Sequence, residues 1–432
     1  MLFPENIAED DEAFWREQEQ RVQTLGQPCC TQSNMSWAMV DLPGDVCVVI
    51  HGESDCLNCF FHHQGQRAVD YYSTRLTEHQ LIMGDTRAPL RRLLELLAKE
   101  RKPEVVIVLG TCPVEVIYDD FEPVVRNVSA ETGVPMIALR THGLGLVSLI
   151  SCQDWLYATL AGFEPPATAA AHSGINLVGL PPGPGTREAQ EVLGRLGVDV
   201  HGHYPEHADF AGWRRIGLAQ RSFVVDSQTL PRLTAVLKAH GQQVDEVPLP
   251  LGLYHTERFY GLIASRMGVD PALLDAVLEP LIEQHVPAHQ ALSTRVKGRR
   301  VAICIRMLKT HRSDLLAYEG LTCVELLRGL GFHVGILVQG PPEARAREAF
   351  HQRLAELGYA DIPFDVFRGP WELGDSLRAG GFELAIMSDV ARNVVEGVGI
   401  PMISSQSWRP FFDGVAHNLA LLDRAADIME RR

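Results

Sequence analysis

The chain has 432 residues, enough for about three domains of ordinary size. At 46% hydrophobic and 22% charged it is expected to be globular with a large core, and its formal charge of −15 speaks against nonspecific nucleic-acid binding. No run of about 18 apolar residues occurs, and the start Met1-Leu2-Phe3-Pro4-Glu5-Asn6 lacks a basic region followed by an apolar one. Neither a membrane span nor an export signal is expected, and the cytoplasm is the expected location. Nine cysteines, an odd number in a long chain of this kind, argue against a disulfide framework.

Short Val/Ile/Leu runs alternate with turns and amphipathic stretches, the pattern of parallel sheets covered by helices on both faces. Three such units in series predict an α/β protein of three Rossmann-like units, spanning 1–165, 166–296 and 297–432. In the first, strands are expected near 46–50, 105–109 and 135–139, with helices near 85–100 and 113–132. The second opens after Pro165-Pro166-Ala167-Thr168-Ala169-Ala170-Ala171 with a strand at 175–179 and a helix at 187–196. Strands at 198–200 and 223–225 and a helical region at 257–292 complete it. The third has strands at 301–305, 334–338 and 384–387, a helix at 319–330 and a final helix.

The turn Gly183-Pro184-Gly185-Thr186-Arg187-Glu188 lies between a strand and a helix, as a dinucleotide fingerprint would. Glu188 stands where its last glycine belongs, and no Gly-Lys-Ser/Thr follows, so a plain strand–helix turn is expected. If ATP is used, another protein hydrolyses it.

The thiols carry more information. Cys56 follows Val46-Cys47-Val48-Val49-Ile50 through His51-Gly52-Glu53-Ser54-Asp55, and Cys112 follows Val105–Thr111 directly. Cys30 precedes both. Three cysteines at turns can converge at the strand ends of one parallel sheet, where open α/β folds take ligands. That suits an iron–sulfur cluster better than a disulfide, with buried structural thiols as the plain alternative. Pro113 suits the first helical position, which would make Cys112 the N-cap. Gly52 and Gly110 would let the backbone approach a bulky inorganic ligand. Cys56-x-x-Cys59 admits a zinc or redox pair, but no second pair completes a zinc site. Cys47, Cys304 and Cys323 lie in apolar patterns and read as inert core residues; Cys152 reads as buried too.

These residues resemble the catalytic-component subunits of nitrogenase and their relatives: the cofactor-assembly scaffold, the dark-operative protochlorophyllide and chlorophyllide reductases, and other nitrogenase-like reductases. The matching text is His51-Gly52-x-x-x-Cys56, Ser73-Thr74-Arg75-Leu76-Thr77-Glu78-His79-Gln80-Leu81-Ile82-Met83-Gly84 and Thr111-Cys112-Pro113-Val114-Glu115-Val116-Ile117-Tyr118-Asp119-Asp120. The spacing of 26 residues from Cys30 to Cys56 is also similar. Looser echoes occur at Pro248-Leu249-Pro250-Leu251-Gly252, Gly298-Arg299-Arg300-Val301 and Gly399-Ile400-Pro401.

The resemblance implies that Cys30, Cys56 and Cys112 ligate half of an iron–sulfur cluster shared with a homologous subunit, in a heterotetramer or a homodimer. The cluster would be 4Fe–4S or a larger P-cluster-like 8Fe–7S group. A separate ATP-dependent 4Fe–4S reductase, similar to the nitrogenase iron protein, would dock and deliver electrons to it. These would pass to a substrate or metallocofactor in the cleft between the units. In the family, a cysteine in the second unit and a histidine in the last hold the large catalytic cofactor. Those positions fall near Asp226 and Gln406, and oxygen ligands suit an iron–sulfur cofactor poorly. The resemblance thus implies an organic substrate such as a tetrapyrrole, or a metallocluster in the partner subunit, rather than dinitrogen reduction here. His255, Trp408 and Arg409 are expected near the cleft. A scaffold for assembling a nitrogenase-type cofactor is the alternative role.

Overall fold

The computed structural model describes residues 31–39, 42, 44–54, 56, 70–141, 149–165, 172–180, 185–205, 209–225, 230–306, 321–340 and 344–431. Thirteen strands are present among them: β1 (Val46–His51), β2 (Asp70–Ser73), β3 (Val105–Gly110), β4 (Met136–Arg140), β5 (His172–Val178), β6 (Val200–Tyr204), β7 (Ala219–Val225), β8 (Gln243–Val247), β9 (Arg300–Arg306), β10 (His333–Gln339), β11 (Phe364–Phe367), β12 (Leu384–Met387) and β13 (Met402–Ser404). They form three sheets, ordered β2-β1-β3-β4, β6-β5-β7-β8 and β11-β10-β9-β12-β13. The first and third are parallel throughout, and in the second β5 pairs parallel with β6 and β7. This is the expected α/β architecture of parallel sheets flanked by helices.

By packing, the chain forms two units. One contains the first two sheets; the other contains the third sheet with the helices Gly185–Arg195, Leu253–Met267, Pro271–Val296 and Phe411–Glu430. No helix among the described residues is long and apolar enough to cross a membrane.

The first sheet is buried on both faces. Val46, Val48, Ile50, Val105, Ile107 and Leu109 join one apolar cluster, while Cys47, Val49, Val106 and Val108 join the other. Successive side chains of a strand point to opposite faces, so continuous apolar runs are required here rather than alternation.

The single helix expected over 113–132 is two: Cys112–Val116 and Glu122–Thr132. Tyr118 between them is left-handed at φ 53°, and the Asp119 N–H turns back to the Val114 carbonyl at 3.0 Å. Pro123, with no N–H to give, opens the second helix. The first also begins a residue earlier than expected. Thr111 is its N-cap, so Cys112 is the first helical residue and Pro113 the second.

In the second unit the fingerprint-like turn is explained by packing. A Cβ at Gly185 would lie 2.5 Å from the Phe411 ring. Glu188 accepts from Phe412 N at 3.0 Å, Asp413 N at 2.6 Å and the Tyr260 hydroxyl at 3.2 Å. It therefore caps the helix Phe411–Glu430 from another segment, compensating for Phe411 at φ 66°. Replacing Glu188 by Ala strips that cap and leaves the buried tyrosine hydroxyl unmet. Urea unfolding is expected to show a loss of about 2–3 kcal/mol.

Candidate functional site

β1 and β3 pair in register from Val46↔Val105 to His51↔Gly110. In the order β2-β1-β3-β4, β1 is followed along the chain by a strand on one side and then by two on the other. The winding reverses between β1 and β3, and the crevice at such a switch point is where doubly wound sheets take ligands. Cys56 leaves from β1 through Gly52-Glu53-Ser54, and Cys112 leaves from β3 through Thr111. Both thiols are half-buried.

The other described cysteines are sealed in. Burial pushes the Cys47 thiol up to about 11 and that of Cys304 to about 12, and raises Cys323 further. Cys152 is fully buried, its sulfur 3.7 Å from the Thr31 carbonyl. That contact ties the helix Leu149–Ala161 to the start of the helix Thr31–Ala38, one residue past Cys30. Cys30, Cys59 and Asp226 lie outside the described residues. Among the described residues no three His, Cys, Asp or Glu side chains gather to hold a metal ion.

The glycines make room for protein side chains. A Cβ at Gly52 would stand 1.9 Å from Thr111 Oγ1, and one at Gly110 would stand 2.8 Å from Glu115 Oε1 and from the Phe121 ring. Thr111 itself is fully buried, and its hydroxyl has no hydrogen-bond partner among the described residues. Two soft sulfur donors beside an unmet buried hydroxyl have the donor chemistry that suits an iron–sulfur group.

A polar seam beneath the site escaped sequence reasoning. His51, fully buried, lies 3.2 Å through Nε2 from Asp119 Oδ2 and 3.3 Å through Nδ1 from Thr74 Oγ1. Thr74 Oγ1 accepts from Gly52 N at 3.0 Å, which fixes the start of the Cys56 segment. Thr86 donates to Asp119 Oδ2 at 2.6 Å, and Arg87 donates to Oδ1 at 3.3 Å. Burial works to raise the Asp119 carboxyl, but hydrogen bonds from His51, Thr86 and Arg87 outweigh it and hold it below the ordinary carboxylate value. His51, Thr74 and Asp119 all stand in the motif strings, yet nothing in their spacing says that they meet.

His255 is half-buried on the helix Leu253–Met267, where burial lowers its pKa below the usual histidine value. Gln406 is exposed in the turn after β13. The backbone of Arg409 is held at both ends by the Asn418 side chain, at 3.0 and 2.7 Å.

The chain matches the family model described as nitrogenase component 1 type oxidoreductase over residues 36–411. It is similar to the light-independent protochlorophyllide reductase subunit N of Prochlorococcus marinus (strain NATL1A), 23% identical over 280 residues, which is 63% of this chain and 65% of that protein. The subunit N of Chaetosphaeridium globosum is 22% identical over 273 residues, 57% and 58% of the two chains. The chain thus spans just under two thirds of the length of these curated relatives. The structure titled nitrogenase Cp1 at pH 6.5 shares the fold, with a TM-score of 0.70 at 14% identity, over 95% of this chain and 91% of that one.

The seam makes a pH-dependent contribution to stability. The folded Asp119 carboxyl is a stronger acid than an ordinary aspartate, whose value is 3.8. Its contribution is therefore present above that value and fades as pH falls through the lower folded value. Asp119→Asn is expected to lose about 2 kcal/mol at pH 7 in urea unfolding, with the difference from wild type shrinking below about pH 4.

Proposed function

This chain belongs to the nitrogenase component 1 type oxidoreductase family, and on that premise we propose that it is one subunit of a nitrogenase-like reductase. In this reading it relays electrons through an iron–sulfur cluster at a subunit boundary. The observation that carries it is the exit of Cys56 and Cys112 from the two strands flanking the switch point of the first sheet. Cys30 would add the third thiolate, and a homologous subunit the remaining ligands. When bound, the cluster, 4Fe–4S or P-cluster-like, supplies storage and transfer of single electrons. The chain's own residues set the sulfur positions, shield one side from water and tune the potential through burial and hydrogen bonds.

The surroundings of these cysteines favour docking of a separate ATP-dependent reductase. Ile82 and Met83, at the end of the helix Glu78–Met83, are exposed. So are Val116, Ile117 and Tyr118, the last at 91%. The Thr86–Asp119 hydrogen bond ties the two segments that carry them. Exposed apolar side chains gathered this way mark an interaction surface. For substrate, the relatives' name points to a tetrapyrrole, and Asp226 and Gln406 in place of sulfur and imidazole agree with an organic substrate.

Anaerobic purification with co-expressed homologous subunits, followed by iron and sulfide analysis and low-temperature EPR, tests the assignment. Wild type is expected to carry both elements, and Cys56→Ala and Cys112→Ala each to lose the signal at least tenfold with the fold retained. An unchanged signal in Cys30→Ala, Cys56→Ala and Cys112→Ala would defeat it. A transferable cluster without substrate turnover would move the chain to the scaffold role.

A further inference from the structure

The Thr111 side chain is a group at the switch point whose chemistry the described residues leave unused. Thr111 is the N-cap of the helix Cys112–Val116, with extended backbone at φ −92° and ψ 168°, yet its side chain makes no capping hydrogen bond. An N-cap threonine ordinarily accepts from the second or third helical N–H. Pro113 fills the second position and has no N–H. The hydroxyl is fully buried and finds no other partner among the described residues. Native proteins pair nearly all such groups, so the exception calls for an acceptor that the described residues do not supply.

Its location says what that acceptor is. Thr111 is bonded to Cys112 and packs its Oγ1 and methyl over Gly52, which opens the segment to Cys56. The hydroxyl therefore stands between the exits that carry both thiols. Its O–H donates to none of the described residues, so the proton is available. The site's own chemistry offers sulfur, as cysteinate or as bridging sulfide.

We propose that Thr111 donates a hydrogen bond to sulfur at the Cys56/Cys112 site and so raises the reduction potential of the group held there. The inference rests on the cluster reading above and goes beyond it by naming the residue that sets the potential. A donor to sulfur favours the more electron-rich, reduced state over the oxidised one. Thr111 is accordingly a positioning and tuning residue rather than a catalytic one. Only the oxygen matters in this account; the methyl serves packing against Gly52.

The test is an EPR-monitored redox titration of the anaerobic complex carrying Thr111→Val, Thr111→Ser or Thr111→Ala. Valine keeps the shape and removes the donor, and serine keeps the donor. With iron content retained, Thr111→Val is expected to titrate at a more negative potential. At the wild-type midpoint its reduced-to-oxidised ratio should be about tenfold lower, equivalent to about 59 mV for a one-electron couple. Thr111→Ser should restore the wild-type midpoint. An unchanged midpoint in iron-replete Thr111→Val overturns the inference and leaves the cluster reading intact. If valine costs the iron, serine and alanine decide. A negative shift in alanine alone supports the role, and equal midpoints in the two overturn it. Wild type without iron removes the cluster reading itself, and this inference falls with it.

Discussion

The pairing of β1 with β3 is the constraint on which the candidate site depends. Both strands are buried along their whole length, so each face must meet its own apolar cluster. A slip of one residue would turn Val46, Val48 and Ile50 to the opposite cluster and strand His51 on the wrong face. The register His51↔Gly110 is thereby fixed by hydrophobic burial on both sides. With it are fixed the points where the chain leaves the sheet, and so the origins of the Cys56 and Cys112 segments. The placement of the thiols is a consequence of core packing three to ten residues earlier in the chain.

Where the strands end, the apolar logic ends too, and a buried carboxylate takes over. Asp119 is tolerated at 7% exposure because both of its oxygens are engaged, by Arg87 on one and by Thr86 and His51 on the other. Through these contacts one side chain joins the end of β1, the start of the helix Arg87–Leu96 and the turn after the helix Cys112–Val116. Thr74 extends the seam to the Gly52 N–H. The exposed apolar residues 116–118 follow directly into this buried ionic joint, so hydrogen bonds connect that surface to the segment that leads to Cys56.

The amino-acid sequence reveals the centre of each sheet more readily than its margins. β1, β3, β9 and β12 are continuous apolar runs and are legible as such. β2, β8, β11 and β13 are all short sheet edges, the first three half-exposed, and Asp70-Tyr71-Tyr72-Ser73 or Gln243-Val244-Asp245-Glu246 shows no run to find. The break at 117–121 was hidden because Val114, Val116 and Ile117 continue a helical pattern while Tyr118 adopts a left-handed backbone that only the fold discloses. At the site, the thiols stand out because cysteine at a strand end is rare chemistry. His51, Thr74 and Asp119 do not, since 23 and 68 residues separate His51 from its partners and no periodicity links them. Glu188 is the converse case: it marks its turn as a departure from a phosphate loop, and nothing nearby shows that its partners lie 224 and 225 residues downstream.

Three sheets of related winding offer three switch points, so topology alone does not choose among them. In the third sheet the reversal falls between β9 and β12. There Asp389, just past β12, is already satisfied by Ser404 at 2.9 Å and by Arg392, which hold its carboxyl below the usual range. The cysteines of that unit, Cys304 and Cys323, are buried with raised pKa values and present no sulfur to a ligand. In the second sheet most polar groups meet inside the unit: Asn176 donates to Ser222 at 3.0 Å and to the Ile216 carbonyl at 2.8 Å, and Ser222 donates to Gln242, while Asn176 Oδ1 stays unmatched. The first sheet differs in its sulfur. Its switch point carries half-buried thiols, and beside them a buried hydroxyl stays unmatched. A site is recognised by chemistry as well as by topology, and of the described cysteines only those after β1 and β3 bring half-buried sulfur to the place where ligands bind.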